Sequence, residues 1–165
     1  MKLAVRLGLL AALGGLGFWL WTICFPNPEK VVLGRIAKLA AVASVDPGDG
    51  GLTRATKVGN LLAYFSADAV ISYDVPGLGA HTLTGRDELR EIAAGGFANV
   101  KALTVRFQDA TAKVGADQRT AVVSCTARVS AGDAQDFGVQ ELRIELRKLE
   151  GDWRVTRLET VRTLQ

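Results

Sequence analysis

The stretch Glu141-Leu142-Arg143-Ile144-Glu145-Leu146-Arg147 decides the fold. Apolar and charged residues alternate strictly, so an extended chain puts every leucine and isoleucine on one face and every charge on the other. On a helix the same residues would be scattered around the axis. The pattern therefore predicts a half-buried strand. Working outward, Leu103, Val105 and Phe107 alternate with Thr104 and Arg106, again with a period of two. Gly115-Ala116-Asp117 then turns the chain into a strand over Thr120 to Val129. Gly132-Asp133 turns it into Phe137 to Leu149, and Glu150-Gly151-Asp152 makes a hairpin ahead of Trp153 to Leu164. Strands punctuated this regularly predict an antiparallel meander. Its row of alternating charges, Glu141 to Arg147, reads as a solvated or partner-facing side with cross-strand ion pairs.

Upstream of Lys101 the period changes. Asn27-Pro28-Glu29 is a helix start, with a capping amide, a proline suited to the first turn and an acid at the positive end of the dipole. Val32, Ile36, Leu39 and Ala43 follow at helical spacing. Asp46-Pro47-Gly48-Asp49-Gly50-Gly51 breaks the chain. A second helix carries Leu52, Ala55, Val58, Leu62 and Phe65 on one side, and Ala69 to Tyr73 reads as a short strand. Asp74 to Thr84 contains Pro76, Gly77 and Gly79 and is expected to be a loop. A third helix is expected over about Arg86 to Gly95, capped by Thr84, with Asp87 and Glu88 in its first turn.

Leu7 to Phe25 runs without a charge behind Lys2 and Arg6. That is close to the ~20 residues a helix needs to cross a bilayer. A cleaved signal peptide is the main rival, but it has a shorter apolar stretch and small residues before the cut. Here the run ends in Trp19, Trp21, Ile23 and Phe25. A lipoprotein would modify a cysteine placed after a small residue, and Cys24 follows Ile23. An uncleaved anchor fits best, with the indoles at the headgroup level and the N-terminus cytoplasmic by the positive-inside rule. The expected organisation is an anchor over 1–26 and one domain over 27–165, a suitable length for a single core.

The chain has 20 basic and 17 acidic residues. Setting Lys2 and Arg6 aside with the anchor leaves the domain almost neutral, without the clustered cations that nucleic-acid binding requires. Cys24 and Cys125 form no disulfide framework, and Cys125 reads as a small apolar core residue. Phosphate loops, dinucleotide fingerprints, metal motifs and nucleophile elbows are all missing from the sequence, so no cofactor and no metal are expected.

Three helices followed by a long meander suggest a curved sheet wrapped around the helices. The residues Leu61-Leu62-Ala63-Tyr64-Phe65 leading into Asp68-Ala69-Val70 resemble the NTF2-like superfamily, and within it the SnoaL-like and related small bacterial domains. Leu83-Thr84-Gly85-Arg86-Asp87-Glu88-Leu89, Gly151-Asp152-Trp153-Arg154-Val155 and Arg157-Leu158-Glu159 carry the same resemblance, which covers roughly Glu29 to Gln165. It implies an α+β cone, with three N-terminal helices packed on a curved antiparallel sheet, here behind one transmembrane helix. It leaves the activity open, since the fold hosts isomerases, cyclases, dehydratases, ligand binders and assembly domains. Dimerisation through the convex face of the sheet is also implied by the resemblance, although the charged row Glu141 to Arg147 opposes it.

If the resemblance holds, candidate functional residues are those on cone-lining positions. His81, the sole histidine, and Asp74 are the candidates for a general base that removes a proton beside a carbonyl. Their structural alternative is a surface histidine in a loop and an aspartate accepting turn hydrogen bonds. Tyr64, Tyr73, Phe97 and Phe107 are candidates to line an apolar pocket, with Arg106 and Gln140 at its polar end. Packing between helices and sheet is the competing role for the four rings. Glu159 is an interior acid in one register and a surface partner of Arg157 or Arg162 in the other, and Trp153 is expected to cover the sheet edge. The expected function is a non-catalytic interaction, assembly or ligand-binding module on the extracytoplasmic side of a bacterial inner membrane. Its partners would be the membrane through residues 7–25, a second copy or another envelope protein, or an apolar small molecule. The alternative is a SnoaL-like isomerase or hydrolyase with its site in the cone.

Overall fold

A computed structural model describes residues 27–75, 79–132 and 138–161. The proposed anchor, residues 7–25, lies outside them. Among the described residues no helix is long and apolar enough to cross a membrane.

Helix α1, Pro28–Val42, starts as its sequence predicts. The Asn27 side chain accepts the Glu29 N–H at 2.9 Å, and Pro28 occupies the first turn. Val32, Ile36, Leu39 and Ala40 recur at three- and four-residue spacing and are buried where α1 packs against the sheet. The Asp46–Gly51 break is tied down by Lys57, whose ammonium sits 3.1 Å from Asp46 and 2.5 Å from Asp49 and also donates to the Ser44 carbonyl. The Lys57 hydrogen bond, with help from the Asp46 N–H, holds the Asp49 carboxyl below its usual range.

Helix α2, Gly51–Leu62, ends earlier than the apolar spacing suggests. Phe65 is the first residue of strand β1, Phe65–Val75, which is longer than the Ala69 to Tyr73 run. The segment read as a loop contains strand β2, Gly79–Thr84, paired antiparallel with β1 from Val70↔Thr84 to Val75↔Gly79. That expectation is corrected. An edge strand needs few apolar residues, and most of β2 is exposed. Helix α3, Gly85–Asn99, follows directly. Gly85 has φ +83° and lies against the Ala67 carbonyl, a backbone state and a close approach that both favour glycine. Thr84 is the N-cap residue, but its side chain makes no capping bond, and its N–H donates to Glu88 at 2.6 Å.

The meander then follows as β3, Leu103–Val114, β4, Thr120–Ala131, β5, Gly138–Leu149, and β6, Asp152–Val161. The six strands stand in the order β2-β1-β6-β5-β4-β3. All neighbours are antiparallel except β1 and β6, which run parallel. That pairing places β6 inside the sheet, so Trp153 is buried in the core and does not cover an edge. The predicted alternation in β5 is met, with Leu142, Ile144 and Leu146 buried and Glu141, Arg143 and Arg147 exposed. Three helices covering one face of this curved sheet make the α+β NTF2-like cone.

Candidate functional site

The inner face of the sheet changes along its length. At one end Val123 and Ile144 have no exposed surface, and Leu146, Val155, Ala121 and Phe65 pack beside them. Toward the other end burial fades. Phe107 and Tyr73 are only half-buried there, around Ala127 and Leu142. This half-buried end is the open end of the cone.

Cross-strand register assembles the polar groups of that end. Phe107, Ala127 and Gln140 lie in one row, since Ala127 pairs with both of the others. The Gln140 amide donates to the Asp74 carbonyl at 2.7 Å, and the Asp74 N–H donates to the Thr160 hydroxyl at 3.2 Å. These bonds tie the end of β1 to β5 and β6. Tyr73 and His81 are directly opposed, and their rings stack with centroids 5.7 Å apart. On the opposite phase of the same two strands, the Ser72 and Thr82 hydroxyls meet at 3.2 Å. Asp74 follows Ser72 in that phase, so by register Asp74 and His81 belong to opposite faces.

The remaining candidates lie elsewhere. Arg106 is exposed and pairs with Arg128 on the outer face, because Phe107 and Val105 take the inner phase. Tyr64 precedes β1 at the sealed end, where its carbonyl accepts the Val155 N–H and the Arg35 guanidinium lies 4.1 Å above its ring. An extended chain puts it on the order of 30 Å from Tyr73. Phe97 is buried on α3 and lines a groove against α2 in which no strand residue takes part. Glu159 takes the outer phase, 3.7 Å from Arg143 and 3.8 Å from Arg157. The structure thus gathers Tyr73, His81, Gln140 and Phe107 at the open end and separates Tyr64, Phe97 and Arg106 from them.

Thr160 belongs to the open end and was not singled out in the sequence. Its even spacing from Leu158 was the available signal. Burial pushes the Cys125 thiol up to about 11, which keeps it protonated and a poor nucleophile. Among the described residues no three His, Cys, Asp or Glu side chains group as a metal site.

Comparison with known proteins matches residues 52–158 to the family described as SnoaL-like domain. An NTF2-like protein of unknown function from Pseudomonas putida superposes with a TM-score of 0.63 at 14% identity, over 83% of this chain and 87% of that one. A candidate scytalone dehydratase from Novosphingobium aromaticivorans gives 0.59 at 16%, over 82% and 83%. The yeast UBP3-associated protein BRE5 gives 0.58 at 10%, over 80% and 95%. Identities this low establish the fold and nothing finer. No curated protein matches the chain.

Proposed function

The chain belongs to the SnoaL-like domain family, and on that premise we propose that it is a non-catalytic binding module held at the bacterial inner membrane. One observation carries the reading. The described polar groups of the open end are engaged with the sheet's own backbone or divided between its two faces. Gln140 and Thr160 bond the Asp74 main chain, while Asp74 and His81 fall on opposite phases of β1 and β2. A general base must reach the proton it abstracts, and by register Asp74 takes the outer phase of β1, away from the cone. An apolar floor with a few polar groups at its rim suits capture of an apolar small molecule.

Attachment to the membrane rests on the sequence. The charge-free run over residues 7–25, behind Lys2 and Arg6, supports an anchor with the domain on the extracytoplasmic side. The charged outer face, with Arg143, Glu145, Arg157 and Glu159 in one ion-pair cluster, supports a polar surface for an envelope partner of complementary charge.

Native mass spectrometry of the full chain, released from detergent micelles beside a denatured control, tests the reading. A bound molecule, a homodimer or a co-purifying envelope protein is expected. An empty monomer without a companion overturns it. The second reading is an isomerase or hydrolyase with its site in the cone, using Asp74 or His81. It is supported by likeness in fold to the candidate scytalone dehydratase.

A further inference from the structure

Helices α2 and α3 lie antiparallel, and side-chain bonds fix both ends of the pair. At one end Arg54 of α2 donates to the carbonyls of Phe97, Val100 and Lys101 as α3 finishes. At the other end Arg86 of α3 donates twice to the Phe65 carbonyl, just beyond α2. Between these fixed ends the helices leave a groove of about 700 Å³. Its size falls within the usual range for small-molecule sites.

The lining is asymmetric in charge. Gly51, Ala55, Gly59 and Ala63 recur every fourth residue along α2, and Val58, Leu62, Phe97 and Ala98 complete an apolar floor. Three arginines, Arg54, Arg86 and Arg90, line the same groove, and no acidic residue does. The hydrogen bonds of Arg54 and Arg86 go to neutral carbonyls, and Asp49, whose carboxylate Arg54 also helps to stabilise, is bonded to Lys57 and lies outside the groove lining. Arg90 does have an acidic partner, Asp87 at 2.7 Å, but that carboxylate is 93% exposed. A surface pair of this kind contributes little and exchanges readily.

We infer that the groove between α2 and α3 is a binding site for a long-chain carboxylate, with its hydrocarbon on the alanine and glycine floor and its head on Arg90. The apolar floor calls for a chain, and three arginines in a lining that holds no acidic residue call for an anion. Arg54 and Arg86 are fixed against main-chain carbonyls, whereas Arg90 is held by an exposed pair that a carboxylate head can replace. A single guanidinium fork matches the two oxygens of a carboxylate. This site is separate from the open end of the cone and does not depend on how that end is used.

The test is photo-crosslinking of the full chain in phosphatidylcholine nanodiscs with a diazirine-bearing hexadecanoic acid, followed by peptide mapping. Label is expected in peptides from 51–63 and 86–99, competed by hexadecanoate and not by methyl hexadecanoate. Gly59→Phe should abolish that label by filling the groove. The glycine is tolerant of substitution, since a Cβ there meets nothing within 4 Å. Arg90→Gln, at an exposed position, should weaken it about tenfold, the loss expected for one charge-assisted hydrogen bond. Label confined to the sheet or to residues 1–26, equal competition by the ester, or label unmoved by both variants would overturn the inference.

Discussion

The two ends of the sheet's inner face are built from the same strands and behave as different materials. At the sealed end, Val123, Ile144, Leu146 and Val155 meet as fully buried aliphatic side chains that offer no polar atom. At the open end, the same strands present Phe107, Gln140, Thr160 and Tyr73, all half-buried, with His81 stacked on the last of them. Amide and hydroxyl groups there stitch strand to strand. Burial is therefore concentrated at the sealed end, and polar bonds between strands at the open end.

Substitutions at the two ends can break that contrast. Ile144→Ala removes a side chain with no exposed surface and should cost about 2–5 kcal/mol in chemical denaturation. Gln140→Leu, at the open end, keeps volume but removes the side-chain bond to the Asp74 carbonyl and should cost about 1–2 kcal/mol. Equal losses at both positions would erase the difference between the ends. His81→Ala removes one exposed ring from a cross-strand stack and should change stability by about 0.2–1 kcal/mol. A larger loss would make the histidine structural and sharpen the boundary of the open end.

The smallest effect lies away from both ends and appears only in acid. The Asp49 carboxyl is held low by Lys57, so folding favours its ionised form. Its stabilisation is present above the unfolded-state value, about 3.9, and disappears as pH falls through the lower folded-state value. Asp49→Asn should flatten the fall in stability below about pH 4 and leave both ends of the sheet unchanged. A midpoint-against-pH series on the two proteins measures this directly.

Much of this architecture is legible in the residues. The alternation in Leu142, Ile144 and Leu146 gives the phase of β5, and Asn27-Pro28 marks the start of α1. Strand β2 escapes notice because an exposed edge does not require apolar alternation, and Gly79 reads as turn chemistry. The central position of Trp153 also has no local signature. It follows from the parallel pairing of β1 with β6, which joins segments far apart in the chain.

Site residues divide along the same line. The outward phase of Arg106 and the inward phase of Gln140 can be read from Phe107 and Leu142 beside them. The separation of Tyr64 from Tyr73 depends on how far β1 extends, and strand limits are weakly encoded. Arg54 and Arg86 are invisible as structural pins because their partners are main-chain carbonyls, which every residue supplies. The spacing of Gly51, Ala55, Gly59 and Ala63 was the one signal available for the groove.

The most direct test of the non-catalytic reading is a conversion assay on whatever molecule co-purifies with the full chain. Wild-type protein and the Asp74→Ala/His81→Ala double variant would be incubated with that molecule and the mixture followed by mass spectrometry. The account predicts an unaltered molecule and the same occupancy in both proteins. Conversion by the wild type that the folded double variant cannot perform would contradict it and make the open end an active site.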